Sequence, residues 1–228
     1  MSEGAEAALQ ALLAQVRACT LCAKHLPLGP RPVLRGQATA RLLILSQAPG
    51  TRVHMTGLSF NDRSGERLRE WLGIGRKVFY DERRIAIMPM GFCYPGRDAK
   101  GGDLPPRPEC APRWHPRVLQ HFPEVELTLL VGSYAIDFYL GRRRKPSMTE
   151  TVRAWREYLP RHLPLPHPSW RNVGWLKANP WFEAELLPDL RGRTRALLGE
   201  RFHPETPRSR SSEFFLIEPI STYRFSYG

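Results

Sequence analysis

Four short apolar runs decide what this chain can fold into. Leu42–Ser46 running on into a Pro-Gly turn, RIAIMPM at 84–90, Leu127–Val131 and HLPLP at 162–166 all have strand length and no polar alternation, the pattern of strands buried on both faces. Helical patterns separate them. Leu9, Leu12, Leu13 and Val16 lay one stripe along Gly4–Ala18, and Leu68, Trp71 and Leu72 share a face between a cap at Asp62 or Ser64 and a stop at Gly73. Further helices are predicted over Pro112–Gln120, from Gly132 through Leu140, over Thr149–Tyr158, and from Pro180 to Leu198 with a kink at Pro188. Strands alternating with helices predict an α/β fold, a mostly parallel central sheet with helices on both faces. Such sheets bind ligands at the carboxyl ends of their strands. Here that rule selects Gln47–Gly50, Gly91–Cys93 and His167–Asn172.

The chain's 228 residues are enough to bury a core without a structural staple. One domain is expected over 1–199. The tail 200–228 changes composition sharply, first arginine-rich and then aromatic, and reads equally as an added edge strand, a flexible arm or an appended segment. No apolar run of membrane-spanning length and no leader pattern occurs, so a soluble cytoplasmic protein with no membrane partner is expected.

The formal net charge is +12, most of it from arginine. Guanidinium forks suit phosphate oxygens, so nucleic acid is one partner class; a solubilising surface or attraction to a membrane surface is the other reading.

The cysteines are few but placed suggestively. Cys19 and Cys22 form a CxxC pair, and Cys93 and Cys110 flank a loop dense in glycine, proline and charge. Such a loop has little apolar content to order it, and four thiolates converging would suit an iron–sulfur cluster or a structural zinc, which spacing does not separate. Four unrelated packing cysteines are the alternative.

Three stretches taken together resemble the uracil-DNA glycosylase superfamily, closest to its iron–sulfur members of the fifth family and next to those of the fourth. They are Ser46-Gln47-Ala48-Pro49-Gly50; Thr56-Gly57 with Phe60, Asp62 and Ser64-Gly65; and His167-Pro168-Ser169-Trp170-Arg171-Asn172. The likeness runs from about residue 12 to about residue 185 and includes the cysteine arrangement. It implies a three-layer glycosylase-like fold, a 4Fe-4S cluster on Cys19, Cys22, Cys93 and Cys110 in preference to zinc, and DNA carrying a damaged or modified base as partner, bound by a monomer.

Two departures matter. Gln47 and Ala48 stand where other families carry an acid in the first motif, so catalytic competence rests on Asp62. Pro89 stands where the fourth family has an asparagine that pairs with uracil, so a base other than uracil is a live possibility.

Cleaving an N-glycosidic bond builds positive charge on the sugar and negative charge on the base. The resemblance implies that His167 donates to a base carbonyl and that Asp62 orients water beside the sugar. The corresponding bland readings are a packing histidine and a helix N-cap. Gln47 and Ala48 through their amides, Phe60 by stacking, Pro89 and Asn172 would form the base pocket. Ser169 would bond a backbone phosphate, with Trp170 and Arg171 bracing the vacated stack. Arg142, Arg143 and Arg144 either touch phosphates or only complement a helix end. His54 and His115 are given no role, since each is as easily a surface histidine. The reaction expected is hydrolysis by a monofunctional DNA glycosylase, with a non-catalytic, cluster-bearing DNA-binding or lesion-sensing protein as the alternative.

Overall fold

The computed structural model describes residues 3–99 and 101–199; the expectation for the tail 200–228 lies outside them. Four parallel strands, β1 (Leu42–Ser46), β2 (Ile85–Pro89), β3 (Leu127–Val131) and β4 (His162–Leu165), form one sheet in the order β2-β1-β3-β4. Leu42 pairs with Ile85 on one side and with Leu127 on the other, and Thr128 pairs with His162. Apart from His162, every strand residue is buried, as unbroken apolar runs require when helices cover both faces. On the outer edge of β2, Arg35 exchanges backbone hydrogen bonds with Ile87 at 3.0 and 2.8 Å, an isolated bridge that covers the middle of that edge.

α1 (Glu3–Arg17) precedes β1, and the helices between the strands are α2 (Thr51–Thr56), α3 (Arg63–Leu72), α4 (Arg76–Phe79), α5 (Cys110–Leu119), α6 (Ser133–Leu140) and α7 (Met148–Arg153). After β4 come α8 (Val173–Ala178) and α9 (Leu187–Leu198). α1 packs on α5 and α3 on α9, and the leucine stripe of α1 is buried as its spacing predicts.

Two helices differ from expectation. The predicted helix 149–158 is α7 followed by a 3-10 turn, Trp155–Tyr158, and it starts earlier because Ser147 and Glu150 form a reciprocal capping box. The segment before Pro188 winds as a π-turn, Phe182–Leu186, and Pro188 then opens α9. A proline lacks the N–H that an α-helical turn would use, and it sits at low cost in the first turn of a new helix.

Chain order and sheet order together place the site. The chain leaves β1 for β2 on one side, then crosses to β3 and β4 on the other, so the connections from β1 and β3 diverge. A crevice opens at such a switch point beyond the carboxyl ends of the two strands.

Candidate active site

The turn after β1, Gln47–Gly50, and the turn after β3, at Gly132, flank the crevice. Gln47 and Ala48 are partly buried, and the carbonyls of Ser46 and Gln47 accept from the amides of Met90 at 2.7 Å and Gly91 at 3.0 Å. Gly132 has φ +87, and a Cβ there would lie 3.4 Å from His167 Cβ. A side chain at 132 would therefore be strained and would press on the stem of the imidazole.

His167 follows β4 between Pro166 and Pro168, both buried, and keeps a partial opening to solvent. Its carbonyl accepts from Asn172 Nδ2 at 2.7 Å, and the carbonyl of Ser169 accepts from Arg67 Nη1 at 2.9 Å. The loop after β4 is thus held at both ends, to itself and to α3. One of the two N–H donors of the Asn172 amide is engaged in holding that loop.

Asp62 caps α3: its Oδ1 accepts from Gly65 N at 2.9 Å. The cap engages one carboxylate oxygen, and a carboxylate has a second oxygen to offer. Asp62 and His167, distant in the chain, meet electrostatically. Burial pushes the His167 imidazole below its ordinary value, while the carboxylates of Asp62 and Asp103 pull it back up. Asp103 has no local sequence signal, since it lies among glycines and prolines.

Phe60 is 7% exposed, and its ring meets Phe79 edge to face at 6.0 Å. Its φ is +55, rare for a residue with a Cβ. Arg69 Nη1 and the Tyr80 hydroxyl donate to its carbonyl at 3.5 and 3.1 Å, which holds that conformation. The ring packs chiefly in the core and presents only a small edge.

Pro89 ends β2, and its carbonyl accepts from His115 Nε2 at 3.0 Å. His115 is 1% exposed, stacked on Phe92 at 5.5 Å, with its Nδ1 2.6 Å from the Tyr139 hydroxyl. A carbonyl only accepts, so Nε2 carries the proton and Nδ1 accepts from Tyr139. His115, to which the sequence assigns no role, is a core histidine; α5 carries Pro112 and Pro116, which blur its periodicity. His54, on α2, is also buried, and its Nδ1 has no partner among the described residues.

Burial lowers His115 to about 4. Between roughly pH 6.5 and that value the unfolded chain binds a proton that the folded chain refuses, so stability falls as the pH is lowered through this window, by up to about 3 kcal/mol from this residue. Urea midpoints are expected to drop between pH 7 and pH 4.5, and less steeply in His115→Gln than in the wild type. Parallel slopes would show that His115 is not the group responsible.

Trp170 is 69% exposed, with the Arg171 guanidinium 5.5 Å from its ring centroid and donating to Gly101 O at 3.3 Å. Arg142, Arg143 and Arg144 are not brought to the crevice. Burial, and then the charges of Arg143 and Arg161, depress His162 at the amino end of β4, and Arg144 pairs with Asp137 at 3.1 Å.

The cysteine expectation is corrected. Cys19, Cys22, Cys93 and Cys110 are free thiols that line one cavity, together with Leu26, Phe92 and Trp114. That cavity measures about 20 Å³, room for about one water and too small for a cluster of irons and sulfides. Burial pushes Cys93 to about 11 and Cys110 to about 12, and raises Cys22 as well, so these three are protonated thiols at neutral pH. Among the described residues no group of three or more His, Cys, Asp or Glu is disposed to hold a metal ion. The residues therefore do not fit the 4Fe-4S cluster, nor zinc, and the resemblance to the iron–sulfur families narrows to the superfamily. Cys19, after α1, and Cys110, at the start of α5, pack against the hydrophobic core, while the Cys22 thiol faces the Glu109 carboxylate.

A parallel sheet with its switch point lined by three motif turns defines a class of α/β proteins that take a ligand at that crevice. The family model of the uracil DNA glycosylase superfamily matches residues 34–191, and the chain belongs to that superfamily. No helix among the described residues is long and apolar enough to cross a membrane.

Proposed function

We propose that this protein is a monofunctional DNA glycosylase that hydrolyses the N-glycosidic bond of uracil or another altered base. What supports the reading is the superfamily match over residues 34–191, together with the Asp62 carboxylate lying near enough to His167 for its charge to favour the protonated imidazole against burial. In the reaction a water oxygen bonds to the sugar C1′ while the C1′–N bond breaks, its electron pair leaving with the base. Asp62 orients that water, accepts its proton and offsets the positive charge on the sugar. The imidazole N–H donates to a base carbonyl as negative charge builds there. Extrusion of the base into the crevice costs a few kcal/mol, least for damaged or single-stranded sites.

Uracil is not the obligatory substrate on this reading. Position 89 has no side-chain amide, and its carbonyl is already engaged by His115, so the usual means of reading the uracil edge is missing. Oligonucleotides containing uracil, hypoxanthine, xanthine or a bulkier modified base, single- and double-stranded, treated with the protein and then alkali, test the proposal. Strand breaks at one or more of these bases are the expected result. Tight binding with no breaks at any base would show a non-catalytic DNA-binding protein instead.

A further inference from the structure

α6 has two unlike faces. Ala135, Ile136 and Leu140 are buried on the side that packs against β3 and β1, while Ser133, Tyr134, Asp137 and Phe138 stand in solvent. A helix face turned to water ordinarily carries polar side chains. Here it carries two large rings, Tyr134 at 38% and Phe138 at 45% exposed, four residues apart and so neighbours on one face. Both are tied to the crevice end of the molecule. α6 starts directly after Gly132, the residue whose Cβ would stand 3.4 Å from His167 Cβ. The Phe138 ring meets Tyr139 at 5.2 Å and His115 at 6.0 Å, and His115 in turn is bonded to the carbonyl of Pro89 at the carboxyl end of β2. One side of Phe138 is thus fixed on a buried network and the other is open, a platform already in place before anything binds.

The helix leads from these rings to positive charge. α6 is about 12 Å long, the span of about three to four phosphates on a stacked strand, and it ends at the exposed run Arg142, Arg143, Arg144. The acids nearby are already matched: Asp137 pairs with Arg144 at 3.1 Å and Glu157 with Lys145 at 2.6 Å. Arg142 and Arg143 have no acidic partner among the described residues, and the Arg143 guanidinium donates to Tyr139 O at 3.5 Å. Open aromatic faces followed by unmatched guanidinium groups complement a single strand, whose bases offer their faces for stacking and whose backbone is anionic; in a duplex those faces are covered by the neighbouring pairs. We propose that the outer face of α6 is a binding track for single-stranded DNA. Tyr134 and Phe138 stack on bases beside the extruded nucleotide, and Arg142 and Arg143 hold phosphates further along the same strand. The proposal rests on the glycosylase reading above and names the class of its substrate.

The test uses the full chain and a short labelled oligonucleotide of ordinary bases, single-stranded or annealed to its complement, with affinity read by fluorescence anisotropy across a range of salt. Wild type is expected to bind the single strand more tightly than the duplex. Tyr134→Ala and Phe138→Leu should each weaken single-strand binding about tenfold and duplex binding less than about twofold. Leucine at 138 keeps the apolar packing on Tyr139 and His115 but offers no flat face; Phe138→Tyr restores the face and should bind like wild type. Arg142→Gln combined with Arg143→Gln should flatten the slope of log affinity against log salt by about 1.4, as fits two phosphates on a single strand. Ring variants that bind the single strand as wild type does overturn the proposal, and so does an equal loss on the duplex. Sedimentation tests the rival occupant: a wild-type dimer that Phe138→Leu dissociates, with DNA binding unchanged, assigns the face to a second copy of the chain and overturns the track. Because these oligonucleotides contain no altered base, ring-dependent binding by a protein that excises nothing leaves the track standing and removes the hydrolytic reading. Excision by a protein whose single-strand affinity ignores both rings does the reverse.

Discussion

Asp62→Asn is expected to slow base excision by about 10³-fold while leaving the melting temperature within a degree or two of wild type, as fits loss of a positioned acid–base group without loss of a cap. The two effects separate because Asp62 does two things. Its Oδ1 caps α3 by accepting from Gly65 N at 2.9 Å, and an asparagine oxygen caps a helix about as well as an aspartate. What asparagine lacks is the negative charge beside the sugar and the ability to take a proton from water. Asp62→Ala removes both functions, so it should also lose on the order of 1 kcal/mol of stability through the missing cap. His167→Ala retains the Cβ beside Gly132 and deletes only the ring; its expected cost is about 10²-fold in rate. An unchanged rate in Asp62→Asn, with the cap intact, would remove the acid from the mechanism.

The second large effect is structural. Glycine to alanine inside an exposed helix ordinarily stabilises by about 1 kcal/mol, yet Gly65→Ala in the first turn of α3 should destabilise by about 3 kcal/mol or more. A Cβ at 65 would stand 1.8 Å from the carbonyl oxygen of Phe60 and 2.8 Å from its Cβ. No rotamer avoids contacts with backbone, so the chain itself must move. What it would move is the site: Phe60 is held at φ +55 by donors to that same carbonyl, and Gly65 N is the donor that Asp62 caps. Thermal melts and excision rates should therefore fall together in Gly65→Ala, whereas they separate in Asp62→Asn. A stabilised Gly65→Ala would mean that the Phe60–Asp62 turn is not built as described.

How much of this was legible in the sequence depends on whether the signal is local. The sheet was, because four unbroken apolar runs between helical patterns leave few other arrangements, and the motif turns lie at strand ends where a parallel sheet places ligands. α2 and α8, each of six residues, were not, since so short a helix carries no readable stripe. His115 escaped notice because its burial depends on Tyr139 and on the Pro89 carbonyl, contacts from distant elements. Asp103 lies in a loop whose residues say only that it turns. Arg142–Arg144 looked like a phosphate-binding run beside the lesion, but α6 carries them back to the amino end of the sheet. The cysteines show the limit of spacing: they do gather on one cavity, yet spacing does not show how small that cavity is, nor that no metal-holding group forms among the described residues.

At the root of the account lies one physical claim, that the Asp62 carboxylate and the His167 imidazole act on the same extruded nucleotide. A double-mutant cycle in single-turnover excision with Asp62→Asn, His167→Ala and the pair together measures this most directly. Groups serving one transition state are expected to be strongly non-additive, so the double variant should be scarcely slower than the slower single variant. Independent penalties that multiply in full, or a single variant that excises at the wild-type rate, would contradict it.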